Sequence, residues 1–124
     1  MQHSYFEYKE TNGKWRLVQD LIINEAVAPL HPMVPNPYTL LFEIPEWAKY
    51  FSVIDLKDAF YSVPLAEVSQ FLFAFEDPTQ PASQLTRTVL PQGFRDSPHL
   101  FGQSLSRDIQ HCNSSEAVVL QYVM

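Results

Sequence analysis

Four prolines in twelve residues, at 29, 32, 35 and 37 of the run APLHPMVPNPYT (28–39), constrain this chain more than any other feature. Each removes a backbone donor, fixes its own φ and pushes the residue before it out of the helical region. The run therefore excludes both a helix and a central strand, and a rigid extended traverse is expected. A disordered linker is the blander possibility. Against it, Leu30, Met33, Val34 and Tyr38 provide apolar anchors that let the traverse lie on a surface.

Before the traverse the pattern is that of a hairpin. Residues 1–8, MQHSYFEY, alternate loosely, and Tyr5, Phe6 and Tyr8 need a surface to pack on. Lys9 to Lys14, KETNGK, is a turn, because Asn12-Gly13 is the strongest short hairpin dipeptide. WRLVQD (15–20) reads as the return strand, with Trp15, Leu17 and Gln19 on one face and Arg16, Val18 and Asp20 on the other. Lys9 and Arg16 flank the hairpin and can converge on an anion, although two cations beside a turn are more often solvated surface. LIINEAV (21–27) fits a strand end or one or two helical turns equally well.

After the traverse, LLFEIPEWAKY (40–50) suggests a short helix broken or started near Pro45, with Trp47 as a packing residue. FSVIDLKDAFY (51–61) opens with an apolar, β-branched run suited to a buried strand. Asp55 lies near its end, and a carboxylate there needs a partner. Two readings stay open on pattern alone: a turn or helix cap, or a metal ligand facing a cleft. Residues 62–70 give a short extended piece and a turn. FLFAFE (71–76) is an aromatic strand with Phe71, Phe73 and Phe75 on one face, and QLTRTVL (84–90) is its hairpin partner across the DPTQPAS loop. Pro91-Gln92-Gly93-Phe94 is a turn in which Gly93 can take positive φ or let a partner approach the backbone closely. Ser97 is the expected N-cap of a helix, with Pro98 at its first position. Leu100, Phe101, Leu105 and Ile109 have the spacing of its buried face, to about His111. AVVLQYV (117–123) reads as a strand apolar enough to be central in a sheet. The fold class implied is α+β, in one domain for 124 residues.

Charge and ligand residues narrow the function classes. Eight Lys and Arg against fourteen Asp and Glu give a net charge of −6, which argues against an independent grip on DNA or RNA. Cys112 is the lone cysteine, so no intrachain disulfide or Cys-based zinc pattern can form. His3, His31, His99 and His111 show no metal-ligand spacing and read as structural or surface residues. No apolar run reaches the roughly 20 residues of a membrane span, and no signal-peptide pattern opens the chain. The default location is intracellular, in the cytoplasm.

Six blocks in order, WRLVQDL, HPMVPNPYTLL, FSVIDLKDAFY, QFLFAFEDP, LTRTVLPQGFRDSPHLFGQSL and VVLQYV, closely resemble the reverse transcriptase of gammaretrovirus-like endogenous retroviruses. The resemblance spans Lys9 to Val123 and implies a partial right-hand polymerase fold, part of the fingers plus an incomplete palm. Residues at about 1–50 and 61–90 correspond to the fingers, and about 51–60 and 91–124 to the palm. It implies deoxynucleotidyl transfer to a primer 3′-hydroxyl with two Mg²⁺ ions. Its partners would be an RNA or DNA template–primer and a dNTP. Asp55 matches the first metal-binding aspartate, and Lys9 and Arg16 the cations on the incoming triphosphate. Phe60 matches the aromatic residue crowding the sugar 2′ position. Gln92 resembles the residue lining the nucleotide and template pocket, and Tyr122 opens the Tyr-Val-Asp-Asp turn. Two departures matter: Met124 stands where the first of two aspartates is expected, and Ile22 where the family usually has arginine. The expectation is a fragment or degenerate reading frame, inactive on its own. Nucleic-acid binding would be weak or absent, with possible self-association through an unpaired palm strand edge.

Overall fold

The structure, a computed structural model, describes residues 5–28, 30, 36–112 and 115–123, with backbone alone for 5–8. Half of the proline traverse (29 and 31–35), together with His3 and His31, lies outside the described residues. The architecture is α+β. The described residues form two small antiparallel pairs, four α-helices and two 3-10 turns, with a modest apolar core.

The first pair joins β1 (Tyr5–Lys9) to β2 (Trp15–Gln19), in register from Tyr5 opposite Gln19 to Lys9 opposite Trp15. The turn is a three-residue loop. The Gly13 N–H donates to the Glu10 carbonyl at 2.9 Å, and the Glu10 N–H to Lys14 O at 2.8 Å. Gly13 sits at φ +83°, where a Cβ would be strained, which is the reason the Asn-Gly signal works here. Asn12 Oδ1 accepts from the Lys14 N–H at 2.9 Å and completes the bend.

The ambiguous LIINEAV segment resolves as a single helical turn, α1 (Ile23–Ala26). Leu21 and Ile23 go into the core with Phe73, and Val27, Leu65 and Phe94 pack around them. Phe73 and Phe94 meet edge to face, with ring centroids 5.1 Å apart. Gln19 ties the hairpin to this centre. Its amide donates to Phe73 O at 3.0 Å and accepts from Arg87 Nε at 3.2 Å.

Several expectations change. Proline density was expected to exclude helix over 28–39, yet α2 (Pro37–Phe42) starts on the last proline. Proline at the first helical position loses only a donor that would have no helical partner. Asn36 caps α2 by accepting from the Tyr38 N–H at 3.0 Å. The helix thus ends before Pro45, and Trp47 is 62 % exposed rather than a packing residue. The FLFAFE run splits into a 3-10 turn (Phe71–Phe73) and the short strand β3 (Phe75–Glu76). The preceding turn, α3 (Glu67–Gln70), carries straight into this 3-10 segment, so Phe71 points to solvent while Phe73 and Phe75 are buried. Only Gln84–Leu85 (β4) pairs with β3; further along, Leu90 N–H donates to Val63 O at 2.8 Å and Leu65 N–H to Thr88 O at 2.9 Å.

The long helix α4 (Ser97–Gln110) forms as expected, but Asp96, not Ser97, occupies the cap position. Ser97 is fully buried and its hydroxyl donates to Pro91 O at 2.7 Å, a bond unavailable to a solvent-facing cap. Phe101 is the buried member of the apolar face, with Leu100, Leu105 and Ile109 half-buried.

The two apolar segments expected as palm strands are not strands among the described residues. Residues 51–56 form no regular element and are exposed, with Val53 97 % and Ile54 82 % accessible. Residues 117–123 lie irregularly along α4, where the Gln121 amide donates to Gly102 O at 3.0 Å. Strand propensity describes a fit to a pleated neighbour. Without such a neighbour in the described residues, no ladder closes.

Candidate functional site

The residues singled out in sequence separate into three places. Lys9 and Arg16 sit at the tip of the hairpin. Because Lys9 pairs with Trp15, and neighbours along a strand face opposite ways, the register sends Lys9 and Arg16 to opposite faces of the ribbon. Lys9 Nζ lies 5.6 Å from the Trp15 ring centroid, and Arg16 is ion-paired with Glu10. Each contact is weak: an exposed cation–π pair contributes about 0.5–1 kcal/mol, and a surface ion pair about 0–1 kcal/mol.

Gln92 occupies a turn that docks onto α1. Gly93 has φ +93°, so the turn needs a residue without a Cβ there. The Gln92 side chain is exposed and makes no hydrogen bond among the described residues. The backbone around it is tightly held: Asn24 Nδ2 donates to Gly93 O at 3.0 Å, and Arg95 N–H donates to Asn24 Oδ1 at 2.9 Å. Sequence reading missed Asn24, which stood out only as a polar break in an apolar run.

Asp55 and Phe60 lie on the segment leading into the 3-10 turn Ala59–Ser62. Asp55 is exposed, and no ion pair or hydrogen bond engages its carboxylate among the described residues. Phe60 is half-buried, its ring edge to face with Phe101 at 5.8 Å. A shallow open cleft of about 390 Å³ nearby is lined by Leu56, Val63, Phe101, Leu105 and Asp108 among others, and does not include Asp55. Tyr122 is partly exposed on the segment beside α4. Among the described residues, no three His, Cys, Asp or Glu side chains form a group able to hold a metal ion. Mg²⁺ requires several oxygen ligands in octahedral geometry. Asp55 alone does not build a two-metal centre.

The Reverse transcriptase (RNA-dependent DNA polymerase) family matches residues 8–123. The chain belongs to the reverse transcriptase family. The chain is 49 % identical over 121 residues to the Gag-Pol polyprotein of avian reticuloendotheliosis virus, covering 93 % of this chain and 10 % of that one. It is 50 % identical over 115 residues to the Gag-Pol polyprotein of baboon endogenous virus (strain M7), covering 88 % of this chain and 7 % of that polyprotein. The Pol polyprotein of feline endogenous virus ECE1 is 49 % identical over 115 residues, with 88 % of this chain and 11 % of the relative covered. The chain thus spans about a tenth of the length of the curated relatives it matches. Its fold is similar to the foamy viral protease-reverse transcriptase solved in complex with ds DNA, at TM-score 0.75 and 28 % identity. That match covers 99 % of this chain and 20 % of the other. The partial polymerase fold expected from the six sequence blocks is therefore the fold present. No helix among the described residues is long and apolar enough to cross a membrane.

Proposed function

We propose that this chain supplies the nucleotide- and template–primer-facing part of an RNA-directed DNA polymerase. Fingers-like segments would lie at about 1–50 and 61–90 and palm-like segments at about 51–60 and 91–124. The observation that carries the reading is the family match over 8–123, which takes in every candidate site residue. On this reading Lys9 and Arg16 reach around the hairpin edges to the dNTP triphosphate, Phe60 limits the sugar 2′ position, and Gln92 and Tyr122 line the nucleotide and primer positions. Asp55 marks the position facing Mg²⁺, and the remaining ligands would have to come from outside the described residues.

Electrostatics sets the strength. Arg16 can exchange Glu10 for a phosphate at small cost, since the surface pair contributes little. The net charge of −6 opposes any polyanion. A labelled RNA–DNA hybrid should therefore bind weakly at low salt by fluorescence anisotropy. Affinity should fall with salt at a log–log slope of about −0.9 per phosphate neutralised. Lys9→Ala and Arg16→Ala should each lower that slope by about one. Absence of binding at low salt, or slopes untouched by both substitutions, would remove the reading. The same chain with primer–template, dNTPs and Mg²⁺ is expected to give no primer extension, because one carboxylate does not hold two Mg²⁺ ions.

A second reading rests on the exposed apolar run at 51–56. An exposed apolar segment with no strand partner among the described residues offers a second copy of the chain a surface for strand addition. A clean monomer in sedimentation velocity would exclude it.

A further inference from the structure

The geometry points to Asn24 as a positioning residue: it clamps the backbone of the 91–95 turn so that the free Gln92 side chain is presented to a nucleic-acid ligand. The inference rests on the nucleic-acid-facing reading above for the identity of that ligand.

Four bonds hold the turn. On its near side, the buried Ser97 hydroxyl donates to Pro91 O at 2.7 Å. On its far side, one Asn24 amide group uses both its donor and its acceptor, bonding Gly93 O at 3.0 Å and the Arg95 N–H at 2.9 Å. Arg95 closes the loop by donating from Nη1 to Asn24 O at 3.3 Å. Between the two Asn24 contacts, Phe94 is inserted against Phe73, with centroids 5.1 Å apart. Pro91 is buried and Gly93 is confined to φ +93°. Every backbone neighbour of Gln92 is thus pinned, while its own amide is exposed and makes no hydrogen bond among the described residues.

A glutamine amide offers two donors and an acceptor. Held on a backbone with little freedom left, it meets a ligand without first paying for loop ordering. Aspartate at 24 would keep the acceptor for Arg95 and lose the donor for Gly93. Alanine would lose both. The folded core does not depend on either, since Leu21, Ile23 and Phe73 pack without the Asn24 side chain.

The test combines hydrogen exchange with binding of a labelled RNA–DNA hybrid, on the full chain and on Asn24→Asp, Asn24→Ala, Gln92→Ala and the Asn24→Ala/Gln92→Ala double variant. Asn24→Ala should exchange about tenfold faster at the amides of Gly93 to Arg95, the effect of roughly one lost hydrogen bond, with protection around Phe73 unchanged. Hybrid affinity should fall in Asn24→Ala, less in Asn24→Asp, and the double variant should bind no more weakly than Gln92→Ala, because the clamp acts through Gln92. Additive losses in the double variant would overturn the inference, since Asn24 would then act on the ligand independently. If the wild-type chain binds no hybrid, the polymerase reading falls. The clamp then stands or falls on exchange alone: unchanged protection at 93–95 in Asn24→Ala overturns it, and faster local exchange supports it.

Discussion

Asp77 illustrates how much a single side chain decides locally. Its carboxylate accepts from the Thr79 hydroxyl at 2.6 Å and from the Thr79 N–H at 2.8 Å. The Thr79 side-chain bond and then the Thr79 backbone bond outweigh desolvation and, with a minor backbone bond from Gln80, hold its pKa below the ordinary 3.8. A carboxylate whose folded pKa is depressed stabilises the fold fully above its unfolded value and loses that contribution as pH falls through the folded one. An NMR titration should therefore place the Asp77 midpoint under 3.8, and Thr79→Val should move it upward. A wild-type midpoint at or above the ordinary value contradicts the geometry. Gln19 is the buried counterpart. The alternation of WRLVQD placed it on the Trp15 and Leu17 face, but the bonds to Phe73 and Arg87 that make its burial tolerable join residues more than fifty positions apart.

At the scale of elements, the clearest lesson lies at the junction of the LPQGF turn and α4. Both were legible: Gly93 for the turn, Ser97-Pro98 for the helix start, and the spacing of Leu100, Phe101, Leu105 and Ile109 for its buried face. The role of Ser97 was not legible, because a serine before a helix carries the same signature whether it caps outward or bonds inward. Burial decided it. Ser97→Ala should destabilise the fold by about 1–3 kcal/mol, the cost of leaving a buried carbonyl unpaired at Pro91. Urea unfolding measures this, and a loss within about 0.5 kcal/mol would show that water replaces the hydroxyl. The traverse teaches a related point. Its prolines exclude a helix interior, yet the last of them is well placed to begin one, and Asn36 was available as the cap.

For the whole molecule, the balance is between a small core and a broad exposed apolar surface. Leu21, Ile23 and Phe73 are buried together, while Tyr50, Val53 and Ile54 face solvent. Replacing Val53 and Ile54 by aspartate should leave thermal stability nearly unchanged, within about 0.5 kcal/mol per site, as for exposed positions generally. The same replacement should shift sedimentation toward monomer if self-association uses this run. A large loss of stability would mean that these side chains are packed in solution, contrary to their exposure.

The residue types alone determined the family, through six ordered blocks whose match runs over 8–123. They also determined the local events: positive φ at Gly13 and Gly93, the hairpin, and the period of α4. These depend on sterics within a few residues of one another, so sequence carries them directly. Tertiary structure decided the rest. It kept 51–56 and 117–123 out of a sheet, turned Ser97 inward and set Asn24 against the Gln92 turn. Each of those outcomes depends on which distant donor, acceptor or strand comes within reach, and no pattern along a single segment encodes that.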